Sequence, residues 1–173
     1  MDLRMLGIYD NFPQSIHYIE AFSSVLSIKQ LQQKLVQALK AINRKPFSFE
    51  EVAIPTIPHG EVIFEFGLAE GDGFNFIDAE EAQRALDAIK KGRLSTLDFF
   101  CAIRYYRVEG EKRVALKFDY YMIKTNFAVG SIEFQFHHRQ GPRYISPEDL
   151  ASLIADKTNA VASKRVLKKT EPE

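Results

Sequence analysis

The residues best equipped for chemistry gather in one run, His137-His138-Arg139-Gln140-Gly141-Pro142-Arg143. An imidazole titrates near neutral pH and can move a proton, while guanidinium groups hold anions through paired hydrogen bonds. His137 is the candidate general base of this run, with Arg139 or Arg143 as the candidate anion clamp. Three segments lead into it, residues 97–108, 113–123 and 131–138, each alternating apolar and polar residues. That period sends successive side chains to opposite faces of a sheet. Paired as a meander, these segments put Arg104, Tyr106, Lys117, Tyr121, Gln135 and His137 on one polar surface. Cations interleaved with aromatic rings can stack on bases or grip an anionic ligand. A sheet with one buried face also produces a polar face automatically, so the pattern favours a solvated or subunit-contacting surface over a ligand site.

Other chemistries find less support. Adjacent His137 and His138 point to opposite faces of a strand, and no His-x-His or His-x-x-x-His spacing occurs. His17 and His59 are remote in sequence, so no metal site is expected. Glu65 interrupts the apolar stretch 62–68, but Val62, Phe64 and Phe66 alternate around it and assign the carboxylate to the solvent side. Gly71-Asp72-Gly73 reads as a hairpin turn, lacking the Gly-Lys-Ser/Thr ending of a phosphate loop and the later glutamate of a calcium loop. No serine lies in a glycine-flanked nucleophile elbow. Cys101, inside the apolar run 99–103, is expected to be a buried, inert thiol. A single cysteine forms neither an internal disulfide nor a cysteine-rich zinc site, and no cofactor is expected.

The elements that must position these residues follow from pattern. Residues 16–23 read as a strand, with Ile16, Tyr18 and Phe22 on one face. Ser27 opens a helix whose apolar stripe is Ile28, Leu31, Leu35, Leu39 and Ile42, closed by Pro46. Three prolines in and beside residues 47–58 suggest an edge strand or extended connection. Residues 61–68 and 74–77 are strands, and Asp78 caps a helix ending in Lys90, Lys91 and a left-handed Gly92. In the segment 113–123, Val114, Leu116, Phe118, Tyr120 and Met122 form the expected apolar face, opposite Lys117, Asp119 and Tyr121. Ile132, Phe134 and Phe136 point inward in the next strand. Ser146, Pro147 and Asp149 then start a helix that presents Leu150, Leu153 and Ile154 to the sheet.

The order β-α-β-β-α-β-β-β-α predicts an α+β fold, its sheet mixed but largely antiparallel and its helices mainly on one face. Residues 1–160 are expected to form one domain, followed by a basic, frayed tail at 161–173. With 46% hydrophobic residues, 14 Phe and 7 Tyr, the chain can build a core without metal or disulfide staples. Lys plus Arg and Asp plus Glu both number 23, which removes the basic excess usual in duplex binders. Met1-Asp2-Leu3-Arg4 lacks a signal-peptide pattern, and no apolar run approaches the ~20 residues that span a bilayer, so a cytoplasmic protein without membrane partners is expected. Three functions compete. First is a non-enzymatic binding or assembly module that uses the polar face and the 139–143 turn to engage a protein or another copy. Second is an enzyme acting on a small anionic substrate with His137 as base. Third, set back by the zero net charge, is a nucleic-acid-associated protein using Tyr106, Tyr121 and residues 164–169.

Overall fold

A computed structural model describes residues 5–8, 11–53, 57–70, 73–92 and 96–170. Period-two alternation dominates these residues, and its product is one ten-stranded antiparallel sheet. In chain order the elements are β1 (Met5–Ile8), β2 (Tyr18–Ser24), α1 (Ile28–Ile42), β3 (Pro46–Ser48), α2 (Phe49–Val52), β4 (Gly60–Glu70) and β5 (Gly73–Phe76). They continue as α3 (Ala79–Lys91), β6 (Thr96–Glu109), β7 (Lys112–Ala115), β8 (Asp119–Ala128), β9 (Ser131–Gln140), α4 (Pro147–Ala162) and β10 (Leu167–Lys169). The sheet runs β1-β5-β4-β6-β8-β9-β2-β10, with β3 on β4 and β7 on β6. The fold is α+β with a mainly antiparallel sheet, as expected.

The helices cover one face. Leu31, Leu35 and Leu39 of α1 and Leu150, Ile154 and Ala151 of α4 join a core with Phe64, Phe66, Phe99, Ile103, Tyr121, Ile123, Phe134 and Phe136. The three long helices, α1, α3 and α4, start where the sequence places a cap: Ser27 accepts from Gln30 N–H, Asp78 from Glu81 N–H and Ser146 from Asp149 N–H. Such caps satisfy amides that no helical carbonyl can reach.

Several expectations are corrected. Residues 47–58 are not simply extended, since Phe49–Val52 makes a helical turn after β3, with Ser48 N–H donating to Glu51. Gly92 has φ −161°, extended rather than left-handed. Part of the hairpin expected at Gly71-Asp72-Gly73 lies outside the described residues. The tail does not fray through residue 169: Leu167–Lys169 pairs with β2, and Val166 and Leu167 are buried. Asn159 of α4 holds this return, its Oδ1 accepting from the amides of Val166 and Leu167 and its Nδ2 donating to Leu167 O.

The correction that matters most concerns residues 113–123. They are not one strand. Tyr106 pairs with Ala115 and Ile103 with Asp119, so Arg104 and Tyr105 face three residues, Leu116, Lys117 and Phe118. One extra residue is a bulge, and at a period of two it exchanges the faces of everything beyond it. Asp119, Tyr121, Ile123, Thr125 and Phe127 therefore enter the helix-covered side, while Tyr120 and Met122 turn to the helix-free side.

Candidate functional site

The helix-free face of β4, β6, β8 and β9 is where most of the sequence-derived site residues fall. Glu65 is on this face, as its alternation requires, and accepts from Arg104 Nε at 2.6 Å. That bond is the main reason the guanidinium pKa of Arg104 is raised. The Arg104 guanidinium also sits 5.8 Å from the Phe118 ring centroid. From Phe118 a row of rings crosses the strands: Phe118 to Tyr120 at 4.7 Å, Tyr120 to Phe100 at 4.9 Å and Phe100 to Phe74 at 5.3 Å. Ring pairs at these separations attract beyond their area burial. Tyr106 lies beyond Arg104 on β6, with the Arg113 guanidinium 5.3 Å from its ring and Arg113 paired in turn to Glu61. Lys117 and Phe118 line a cleft of about 400 Å³ with Gln140, Gly141 and Pro142. Gln135 faces the same side from β9 and donates to Glu133 at 2.8 Å.

Arg139 and Arg143 are exposed in and beyond the end of β9. Neither side chain, nor that of Lys117, makes an ion pair among the described residues, leaving a cationic rim beside the cleft. Tyr121 is not on this face. The bulge turns it inward, where it is fully buried, and its hydroxyl donates to Ile145 O at 2.8 Å.

Behind the face lies a polar network that pattern reading missed. The Asp119 carboxylate, fully buried, accepts from Tyr105 O–H, from His138 Nε2 at 2.8 Å, and from the amides of Arg143 at 2.7 Å and Tyr144 at 3.2 Å. Tyr105 Oη accepts from Ile145 N–H at 3.0 Å. Burial pushes the phenol pKa of Tyr105 far up, and its bond to Asp119 adds to this. Burial also raises Tyr121, with the Asp119 charge second. Four donors around one carboxylate offset its desolvation. They also fix the backbone of residues 143–145 at the entry to α4. Gly141 allows this: φ is +117°, and a Cβ there would collide with Phe118 O and with Asp119. The one sequence signal for the network was the continued alternation Tyr121, Ile123, Thr125, Phe127, visible only beyond residue 123.

His137 holds the outward position expected of it, but its surroundings were not foreseen. Because Tyr18 pairs with Phe136, His17 falls beside His137, and the two rings stack at 4.9 Å. His137 Nδ1 lies 2.7 Å from Ser15 O, and His138 N–H donates to His17 Nδ1 at 2.9 Å. The carbonyl of Ser15 can only accept, so His137 carries a proton on Nδ1. Three of the four histidines thus converge, yet no group of three metal-ligating side chains occurs among the described residues. Cys101 is buried and its thiol pKa is raised well above normal, chiefly by burial. A separate groove of about 910 Å³ lies where Phe47, Phe49, Glu51, Ile57, His59 and Val108 meet, and includes none of the sequence-derived site residues. Among the described residues no helix is long and apolar enough to cross a membrane.

Compared with known proteins, the chain matches no family model, no curated protein and no solved structure. The class defined by its coordinates is an α+β protein whose sheet carries helices on one face and an aromatic, cation-rimmed surface on the other.

Proposed function

We propose that this protein is a non-enzymatic binding module whose helix-free sheet face receives another protein. The observation that carries the reading is the partly buried ring row Phe118, Tyr120 and Phe100, flanked by Arg104 and left without a helix layer. Aromatic side chains and arginine supply most of the binding energy at protein interfaces, because they bury large area at low entropic cost. Lys117, Arg139 and Arg143 at one end suit a partner whose apolar contact is edged by carboxylates. The histidine and carboxylate chemistry behind the face is committed elsewhere. His138 bonds Asp119, Asp119 also accepts from the amides of Arg143 and Tyr144, and His137 bonds Ser15. That occupancy favours binding over proton transfer.

A photoreactive amino acid at Tyr106, on this face, and another at Lys40, exposed on α1, test the reading in producing cells. A discrete adduct at position 106 only is expected. It should weaken at least fivefold when Arg104→Ala and Tyr120→Ala are combined. An adduct of twice the chain mass would identify the partner as a second copy. Equal labelling at both positions, or none at position 106, overturns the proposal.

A further inference from the structure

The helix-free face is not uniformly open. Met122 points to that side from β8, opposite His137 of β9, yet is only 5% exposed. Residues 11–17, which precede β2, pass over this region. Phe12 lies under the Lys124 ammonium at 5.7 Å, Ser15 O meets His137, and His17 stacks on His137. Phe12, Pro13 and Ile16 are half-buried. The segment is a strap bordering the aromatic row, attached to β9 by His17 N–H to Phe136 O at 2.8 Å and by two bonds that involve imidazoles, Ser15 O with His137 and His17 Nδ1 with the His138 amide.

The tautomer at His17 is dictated by geometry. Its Nδ1 accepts the His138 amide proton, so that nitrogen must keep its lone pair. Imidazolium has a proton on both nitrogens, and a ring flip would present carbon to the amide. Protonation of His17 therefore abolishes the bond. It also sets a cation against the stacked His137 ring and near Arg143. Consistently, the pKa of His17 is lowered by burial first, then by His137, Arg143 and His138. His137 differs, because its Nδ1 already donates and a second proton on Nε2 keeps that bond.

We infer that residues 11–17 form a pH-sensitive cover, seated at neutral pH by the His138 N–H to His17 Nδ1 bond and loosened on mild acidification, while the Ser15 O to His137 and His17 N–H to Phe136 O bonds keep it tethered. The groups facing His17 are His137 and His138 from β9 and Arg143 from the turn before α4. Asp119 from β8 reaches it only through His138 Nε2, and Lys124 from β8 meets the strap at Phe12. These neighbours are imidazoles and cations, and the one carboxylate is already committed. The sign follows. A lowered folded pKa means that docking is fully stabilised above about pH 6.5 and weakens as pH falls below it. Loosening makes Met122 beside the ring row more accessible and enlarges the apolar face. This consequence rests on the binding proposal; the loosening itself does not.

The chain has no tryptophan, so Phe12→Trp supplies a single reporter at the strap. Its emission should shift to the red between pH 7.5 and 5.5. Adding His17→Asn preserves an acceptor oxygen near the Nδ1 position but cannot be protonated, and should abolish the shift. In the unmodified chain, hydrogen exchange of residues 11–17 and of the His138 amide, corrected for intrinsic rates, should lose at least fivefold protection over the same interval. Unchanged protection in the unmodified chain overturns the inference, as does an equal shift with His17→Asn in place. No partner is used, so failure here leaves the binding proposal standing, and a negative crosslinking result leaves this one standing.

Discussion

At the scale of single residues, the buried Asp119 carboxylate is held by four hydrogen bonds. Replacing Asp119 with alanine strands Tyr105, His138 and two backbone amides in the interior. Leaving buried donors unpaired costs far more than the net value of the bonds they made. Asp119→Ala should lower unfolding free energy by about 3–5 kcal/mol in urea titration, since each donor left without a partner costs about 1–3 kcal/mol where it is shielded from water. A loss under 1 kcal/mol would show that the network does not hold the turn. The phenols extend the argument to alkaline pH. Tyr105 and Tyr121 have folded pKa values above the ordinary value of 10.0. Between the unfolded and folded values the native state keeps protons that the unfolded chain releases. Their contribution is therefore complete below about pH 10 and declines as pH rises above it. Thermal melts from pH 8 to 11 should show that decline, and Tyr105→Phe should reduce its slope despite losing stability at neutral pH.

At the scale of elements, two connections carry more than their length suggests. Gly141 lets the chain leave β9 against the Phe118 carbonyl and the Asp119 side chain, at a φ that disfavours L side chains. Gly141→Ala adds both a collision and backbone strain, and should cost about 3 kcal/mol, at the upper end of ordinary substitutions. Chemical shifts should change in Asp119, Arg143 and Tyr144 but not in α1. Asn159 performs a similar office for β10 with three hydrogen bonds. Asn159→Ala should cost about 1–3 kcal/mol, and the amides of Val166 and Leu167 should exchange faster before any others. If they exchange no faster than the rest, β10 is held by its pairing with β2 and not by the side chain.

At the scale of the whole molecule, the last strand closes an edge. Truncation after Ser163 removes Val166 and Leu167 from the core and leaves one side of β2 unpaired. Burying two such side chains contributes about 1.5–3 kcal/mol each. For a chain of this size the melting temperature should fall by roughly 10 °C, at about 2–4 °C per kcal/mol. An exposed edge also recruits other edges, so the truncated protein should scatter light in a concentration-dependent way. A frayed tail would predict neither change.

What the sequence determined by itself was local and periodic. The caps at Ser27, Asp78 and Ser146, the inward rows of β4, β6 and β9, and the outward placement of Arg104, Tyr106, Gln135 and His137 all follow from spacings within one segment. Adjacent residues interact with water and core at fixed angles, so such features need no knowledge of distant chain. Tertiary structure decided the rest. The bulge opposite Arg104 and Tyr105 exists only in the pairing of β6 with two strands, and it alone moved Tyr121 and Asp119 to the interior. The approach of His17 to His137 depends on β2 pairing with β9, over a hundred residues later, and β10 on β2 is a partnership of the same kind. Composition carried no trace of either. The candidate face was therefore legible in outline, but the network beneath it and the strap beside it arise from contacts between segments whose patterns are silent about one another.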